Sequence, residues 1–179
     1  MTITLKNLNP AGRYLELGGG DRPLVRPECS GGNDVHVDVR PCHDAQGRQC
    51  VDFVADLNQP LPLQSGEFDG CISVFCLEHL SFRNVPNLLK EVLLVLKPGA
   101  NAVFIVPNTL AQIEWIKAHP EGWDGKGFFE AASEVLFGSQ DYPENCHRCW
   151  FDPVSVMTLF QDAGFADIVV SPYGARDTD

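Results

Sequence analysis

The sequence predicts a doubly wound α/β fold with a mostly parallel sheet, and three observations lead to that prediction. Short apolar segments alternate with segments of helical periodicity, as they do in repeated strand–helix–strand units. The segment FDGCISVF, residues 68–75, is almost continuously apolar, which is typical of a strand covered on both faces. The first apolar segment, RYLEL, ends in three consecutive glycines, Gly18–Gly20, which form a turn suited to close contact between backbone and ligand.

Six strands are predicted from the apolar segments. They cover residues 13–17, 35–39, 52–57, 68–75, 100–106 and 166–170. The second of them, VHVDV, alternates apolar and polar residues with the period of two that is typical of a strand. Parallel strands bring their carboxyl ends to one edge of the sheet, and ligands of such sheets bind at that edge. We therefore expect a site where the first four strands end.

Two helices are marked at both ends. In the first, apolar residues recur at helical spacing over residues 85–96, Asn84 is the predicted cap, and residues 97–99 are the predicted stop. The second is predicted to begin at Asp152, as the N-cap, and to end at Gly164.

Composition and charge disfavour several classes of protein. The 179 residues suffice for one domain with a sizeable core, and no apolar run approaches the ~18 residues that a membrane span needs. The net charge of −11 disfavours nucleic acid as a partner, because binding its backbone needs clustered basic residues. Seven cysteines, an odd number, and an N-terminus without signal-peptide character predict free thiols in a cytoplasmic protein.

Two acidic residues are predicted to join the glycine turn at the carboxyl edge of the sheet. Asp38 follows Gly18 by 20 residues, which is about the separation expected of a carboxylate that accepts from both ribose hydroxyls. Asp56, near the end of the third strand, is placed to accept from an adenine amino group. The two acids together indicate a ligand that contains adenosine.

The residues after the glycine turn favour one such ligand over another. Pro23, Pro27 and the run Ser30–Gly32 argue against a regular helix there. The pyrophosphate of a dinucleotide binds to the amides at the start of such a helix. S-adenosylmethionine has an adenosine but no phosphate, so the turn favours it as the cofactor over a nicotinamide dinucleotide.

Several segments resemble, in order, those of the class I S-adenosylmethionine-dependent methyltransferases. They are LELGGGDRPL, VHVDVRP, VADLNQPLPLQSGEFDGCISVFCLEHL, EVLLVLKPGANAVFIVPN, LFGSQDYPENCHRCWF and LFQDAGF. The match is closest to a small branch of predicted methyltransferases related to the type 11 group. The resemblance implies a Rossmann-like fold. It also implies cofactor contacts around the ends of the first four strands, at Glu16, Gly18, Gly19, Gly20, Asp38, Asp56, Leu57 and Phe75.

The chain departs from the family pattern in three ways. The usual spaced glycines are replaced by Gly-Gly-Gly, the linkers between the first three strands are short, and little sequence follows the sixth strand. We therefore expect reduced early helices and no seventh strand, with the sheet either left at six strands or completed by a neighbouring chain in a homo-oligomer. A nicotinamide-dependent enzyme and a non-catalytic, methyltransferase-like subunit stay open as alternatives.

Methyl transfer asks mainly for positioning, with a general base where the acceptor must lose a proton. The predicted bases are His79, in the segment LEHL, and His147. Glu78, Asn108 and Arg148 are predicted to contact the acceptor. The acidic composition favours a small-molecule or sugar-like acceptor. Each histidine also has a structural alternative, as a contact at a helix start for His79 and as a loop support for His147.

Residues 108–150 form a long connection between the fifth strand and the last helix. The connection contains two weaker helical segments, LAQIEWIKAH and FFEAASEVLF, and it is longer than a crossover requires. We expect it to be an insertion that covers the acceptor side of a single domain, residues 1–179. Its polar and turn-rich part, residues 138–150, is predicted to be a mobile cover.

The segment CHRC, residues 146–149, contains half of a typical zinc site. Cys42 and His43 offer further ligands, but the chain has no second pair of cysteines at the same spacing, and Cys29 and Cys50 fit no regular pattern. We therefore predict no metal site in the chain, and neither stoichiometric zinc nor an obligatory disulfide in the purified protein.

Overall fold

The computed structural model describes residue 9 and residues 11–21, 23–24 and 33–172. Its five strands are β1 (Tyr14–Leu17), β2 (Val35–Asp38), β3 (Phe53–Val54), β4 (Phe68–Val74) and β5 (Leu96–Ile105). Its four α-helices are α1 (Val85–Val95), α2 (Thr109–Ala118), α3 (Phe128–Phe137) and α4 (Pro153–Ala163), and a single 3₁₀ turn covers Leu77–His79. The predicted alternation of strands and helices is confirmed.

The sheet is parallel throughout the described residues, in the order β3-β2-β1-β4-β5. The chain winds outward from β1 to β3 and then returns to the other side of β1 with β4, so the strand order reverses between β1 and β4. In an open parallel sheet, this reversal leaves a crevice beyond the carboxyl ends of the two strands. The glycine turn after β1 and the residues after β4 therefore face each other there.

The core lies between the sheet and the helices α1 and α4. Leu15 and Leu17 of β1 are buried there, and Leu89, Val92 and Val95 of α1 pack into the same cluster. The ring of Phe160 on α4 packs edge-on against that of Phe104 on β5, with 5.0 Å between ring centroids. The buried stripe on α1 confirms the helical periodicity read from the sequence.

The predicted ends of the last helix are confirmed. Asp152 is its N-cap, and one carboxylate oxygen accepts from the backbone amides of Val154 and Ser155 at 2.9 and 3.2 Å. Gly164 ends the helix with a φ of 106°, in the left-handed region that favours glycine. At the start of α1, Asn84 stands at the N-cap position but its side chain makes no capping bond. The side-chain amide of Asn84 instead donates to Asn58 at 3.1 Å.

The prediction of a sixth strand at residues 166–170 is wrong. The structure shows no strand there, and within its described residues the sheet ends at β5. Phe165 and Ile168 pack against the core, whereas Val169 is 86% exposed. An apolar segment becomes a strand only where it reaches the hydrogen-bonding edge of a neighbour, and this segment packs through isolated side chains.

Two predicted boundaries also differ from the structure. Residues 97–99, read as a stop before the fifth strand, already belong to β5, because α1 ends at Val95 and Leu96 pairs directly with Phe68. The register of β4 and β5 shifts between Phe68 and Gly70, because residues 97–100 of β5 form a bulge between the paired residues Leu96 and Asn101. The third strand contains only residues 53–54, since only there does the chain pair with β2.

The predicted lack of a helix over residues 23–32 falls largely outside the described residues.

No helix in the part of the chain that the structure describes has both the length and the apolar character that a membrane crossing requires.

Leu89 on α1 offers a test of this packing. Its side chain is 0% exposed in the core, whereas Leu94 on the same helix is 57% exposed. Leu89→Ala should lower the free energy of unfolding by about 2–5 kcal/mol, because it leaves a cavity between α1 and the sheet. Leu94→Ala, the matched control, should change it by about 0.5 kcal/mol or less. Chemical denaturation of both variants measures the difference, and equal losses would contradict the orientation of α1.

Candidate functional site

Two clefts open at the carboxyl edge of the sheet. The first cleft has a volume of about 270 Å³ and lies above β1, β2 and β4. It is lined by Gly18, Asp38, Val39, Asp56, Leu57, Asn58, Phe75, Cys76, His79, Leu80, Tyr142, Glu144 and Arg148. Five of the eight predicted cofactor contacts therefore lie around one cavity, and both acids of the adenosine hypothesis, Asp38 and Asp56, are among the five.

The glycine turn is shaped by the protein's own packing. Gly18 has a φ of 73°, and a Cβ at this position would lie 2.5 Å from the Sγ of Cys76, the second residue after β4. No side chain fits there, so the ends of β1 and β4 approach each other more closely than any other residue at position 18 would allow. The amide of Gly18 donates to the carbonyl oxygen of Val37 at 2.8 Å.

Asp38 is held in place by backbone amides. One carboxylate oxygen accepts from Gly20 N at 3.1 Å, and the other accepts from Arg40 N at 3.2 Å. These bonds fix the carboxylate at the end of β2 while it lines the first cleft. Asp56 is more exposed, at the rim of the cleft, where it accepts from the backbone and the side chain of Asn58.

Glu16 lies beneath the glycine turn and does not line either cleft. It is buried, and one carboxylate oxygen accepts from Leu24 N at 2.8 Å while the other lies 3.3 Å from His36 Nδ1. A Cβ on Gly19 would come within 2.9 Å of the Glu16 carboxylate. The structure therefore places Glu16 as a support of the turn, with Gly19 packed directly on it.

Phe75 stands at the boundary between the two clefts and lines both. Its φ of 49° lies in the left-handed region, which is rare for an aromatic residue and is stabilised here by a bond from Phe75 N to Ile105 O at 2.8 Å. Backbone strain of this kind is concentrated at functional sites. The unusual turn brings the chain from β4 across the mouth of the crevice and into the 3₁₀ turn that carries Glu78 and His79.

The second cleft adjoins the first through Phe75 and His79 and has a volume of about 380 Å³. Polar side chains and small residues dominate its lining, which consists of Phe75, Glu78, His79, Pro107, Gln112, Glu134, Val135, Gly138, Ser139, Asn145 and His147. Both predicted bases and the predicted acceptor contact Glu78 thus lie in one cavity, although 68 positions separate His79 from His147 along the chain.

Burial shifts the pKa of Glu78, His79 and His147, which line the second cleft, in the direction that favours the neutral form. Glu78 is only 2% exposed, and burial raises the pKa of its carboxyl group to about 7. Burial lowers the pKa of both His79 and His147, and the neighbouring His147 lowers that of His79 further. The two imidazole rings meet edge-on with 5.0 Å between their centroids.

The segment 138–150 reaches the site through backbone hydrogen bonds. Arg148 N donates to the carbonyl oxygen of Glu78 at 2.7 Å, and His147 N donates to Phe137 O at 3.0 Å. The side-chain amide of Asn145 bonds to Ser139 and Asp141 within the segment. These contacts place the segment over both clefts, whereas the sequence predicted a cover of the acceptor side alone.

Two predicted acceptor contacts lie elsewhere. Asn108 is exposed and lines neither cleft, because its side-chain oxygen accepts from Ala111 N at 3.2 Å and caps α2. Arg148 lines the first cleft. The sequence patterns did not indicate three of the lining residues, which are Tyr142 in the first cleft and Gln112 and Glu134 in the second. The guanidinium of Arg40 stacks over the ring of Tyr142 at 3.4 Å. None of these residues belongs to a motif with a recognisable spacing.

The cysteines are thiols wherever the structure describes them. Cys42, Cys50, Cys71, Cys76, Cys146 and Cys149 are free, and Cys29 lies outside the described residues. The thiol of Cys149 donates to Leu77 O at 3.3 Å, and burial raises its pKa to about 11. Cys146 contributes its carbonyl oxygen, which lies 3.3 Å from His79 Nδ1.

Known proteins share the sequence pattern and the fold of this chain. A family model described as a methyltransferase domain matches residues 3–170. The fold is similar to a SAM-dependent methyltransferase from Archaeoglobus fulgidus, with a TM-score of 0.59, 19% identity and coverage of 87% of this chain and 61% of that one. It is also similar to one from Mesorhizobium loti, with a TM-score of 0.56, 17% identity and coverage of 87% and 74%.

A third similar structure is human N-acetylserotonin methyltransferase in complex with SAM, with a TM-score of 0.55, 18% identity and coverage of 93% of this chain and 46% of that one. No protein of curated function matches the sequence. This chain spans less than two thirds of the Archaeoglobus and human proteins. The match over residues 3–170 and the shared fold show that the chain belongs to the methyltransferase domain family and has the class I fold of the SAM-dependent enzymes.

Proposed function

We propose that the protein transfers a methyl group from S-adenosylmethionine to a small-molecule or sugar-like acceptor. The observation that carries the proposal is that two clefts of different character meet at Phe75 and His79. The first, with its strand-end carboxylates, would hold the cofactor, and the second would hold the acceptor. Methyl transfer requires two ligands whose reacting atoms meet in line, and adjoining clefts provide that arrangement.

The donor set of the first cleft fits an adenosine ligand. Asp38 presents a carboxylate, held by two backbone amides, at the end of β2, where a ribose would bind. Asp56 at the rim and the buried Leu57 beside it form the wall after β3. These groups would bind the sugar and the base, and the turn at Phe75 would separate the cofactor from the acceptor.

The amides of the glycine turn favour a cofactor without phosphates. A pyrophosphate binds to free backbone N–H groups in such a turn. Here Gly18 N donates to Val37 O and Gly20 N donates to the Asp38 carboxylate. Because both amides have partners within the protein, a nicotinamide dinucleotide would have to displace them. The bound cofactor supplies a methyl group on a positively charged sulfur, and the protein supplies its position.

The second cleft supports a small polar acceptor. Its volume of about 380 Å³ suits a small molecule. Among the residues that the structure describes, the lining offers imidazole, carboxyl, amide and hydroxyl groups and includes no lysine or arginine, which disfavours a phosphorylated or nucleic-acid acceptor. A small acceptor is also what the name of the similar human enzyme specifies, N-acetylserotonin. The buried imidazoles of His79 and His147 lie where the acceptor would meet the cofactor.

Asp38→Ala tests the cofactor cleft. This variant lacks the carboxylate that would accept hydrogen bonds from both ribose hydroxyls of the cofactor. Its binding of S-adenosylhomocysteine should be weaker by roughly 2–4 kcal/mol. Asp38→Asn, which keeps an oxygen for Gly20 N, should retain the fold and still lose affinity. Asp162→Ala, at an exposed position of α4 that does not line the cleft, is the control. Calorimetric titration measures the affinity for S-adenosylhomocysteine of the parent protein and of the three variants.

Unchanged affinity in the Asp38 variants would remove that residue from the proposed site. The same titration with NAD tests the alternative class of enzyme. Tight binding of NAD, without binding of S-adenosylhomocysteine, would overturn the proposed function.

His147→Ala tests the acceptor cleft. Because His147 does not line the first cleft, the variant should bind S-adenosylhomocysteine within about 0.5 kcal/mol of the parent. It should lose most of its methyl transfer to an acceptor found by screening small molecules with the parent, as expected of a residue engaged mainly in the transition state. His43→Ala, in an exposed turn, is the control.

A histidine that only supports the loop would give a different result. The variant would then lose thermal stability and cofactor affinity together. Cofactor titration, thermal denaturation and radiolabelled methyl transfer on the same preparation separate the two roles, and normal turnover would exclude His147 from the site.

A further inference from the structure

We propose that Glu78, His79 and His147 bind a divalent transition-metal ion in the wall of the second cleft. The site differs from the cysteine-based one at residues 146–149, and it departs from the prediction that the protein holds no metal. The binding of the ion stands on the geometry and burial of these three residues. What the ion would do, namely hold an oxygen of the acceptor in place of the two histidines acting as bases, rests on the proposed function.

The three side chains converge. Each offers one ligand atom, a carboxylate oxygen or an imidazole nitrogen, and the three atoms lie within 4.8 Å of one another. Two ligands about 2.1 Å from a tetrahedral ion are about 3.4 Å apart, so the ligands would draw together by up to ~1.4 Å on binding. Two of them sit on the turn after β4 and the third on the 138–150 segment.

The outer hydrogen bond of His79 suits a metal ligand. Its Nδ1 lies 3.3 Å from the carbonyl oxygen of Cys146. A neutral imidazole that donates through one nitrogen to a carbonyl has its lone pair on the other. Such a bond is the usual outer-shell support of a metal-binding histidine, because it fixes both the ring and the tautomer.

Glu78 gives the independent indication of a ligand. Its side chain is almost fully buried, and its Oε2 has no hydrogen-bond partner within the part of the chain that the structure describes. A buried carboxylate oxygen without a partner is costly, and native proteins normally satisfy such a group with a donor or an ion. A cation between Glu78 and the two imidazoles would satisfy it.

The types of ligand atom and the free coordination positions indicate which class of metal ion would bind. Two imidazoles and one carboxylate suit ions such as Zn²⁺, Co²⁺ or Fe²⁺, and this set leaves coordination positions free. All three residues line the second cleft, so the free positions would face the space proposed for the acceptor. The nearby Cys149 is not a ligand, since its thiol donates to Leu77 O.

The test uses the full chain, stripped with a chelator and titrated with Co²⁺ and Zn²⁺. We expect one ion per chain and a visible Co²⁺ spectrum of nitrogen and oxygen ligands, without thiolate charge-transfer bands. Glu78→Gln, His79→Ala and His147→Ala should each weaken binding by about 100-fold, at or above the loss typical of an outer-shell change. His43→Ala and the double variant Cys146→Ser/Cys149→Ser should bind as the parent does.

Absence of binding in the parent would overturn the proposal, as would a thiolate spectrum or an ion that is lost with the cysteines and kept in the three ligand variants. Glu78→Gln preserves the size of the side chain, and thermal denaturation of each variant shows whether it is folded. S-adenosylhomocysteine binding to the metal-free parent is measured in parallel. A failure of the cofactor to bind there counts against the proposed function, and a failure of the ion to bind counts against the metal site.

Discussion

The close approach of the carboxyl ends of β1 and β4 is the constraint on which the rest of the site depends. Leu17 lies opposite Ser73 in the register, and the hydroxyl of Ser73 donates to Leu17 O at 3.1 Å within the buried sheet. The strands stay this close only because position 18 has no side chain to meet Cys76. The sequence feature read first as a ligand contact is therefore also a packing requirement. The crevice that results is the starting point of both clefts.

The fold could be predicted wherever a local pattern decides the structure. The burial of β1, the two-residue alternation of β2 and the capped helix α4 follow from short stretches of sequence and agree with the structure. The errors occur where a distant partner decides. Residues 166–170 have the composition of a strand but pack through side chains, and residues 97–99 have the composition of a turn but lie in a bulge of β5, between Leu96 and Asn101, which pair with Phe68 and Gly70 of β4. A single sequence does not specify these partners.

The candidate site likewise has a part that the sequence predicts and a part that it does not. Asp38 and Asp56 could be placed beside the glycine turn because each follows a strand, and parallel strands end together. The cluster of Glu78 with His79 and His147 could not be predicted as a cluster. It forms because Arg148 N binds the backbone oxygen of Glu78, a contact between a turn and a segment with no pairing pattern. Asn108 shows the reverse case, in which a polar residue near the site is used as a helix cap.

The two clefts therefore differ in what builds them. The first rests mainly on the ends of the strands and the turns that follow, whose positions are fixed by the register of the sheet. The second is completed by the connection 108–150, through side chains such as Gln112 and Glu134 on α2 and α3. Changes in that connection would alter the volume and polarity of the second cleft without disturbing the sheet. On the proposed function, the acceptor would therefore change with this connection while the cofactor stays the same, because different parts of the chain would position them.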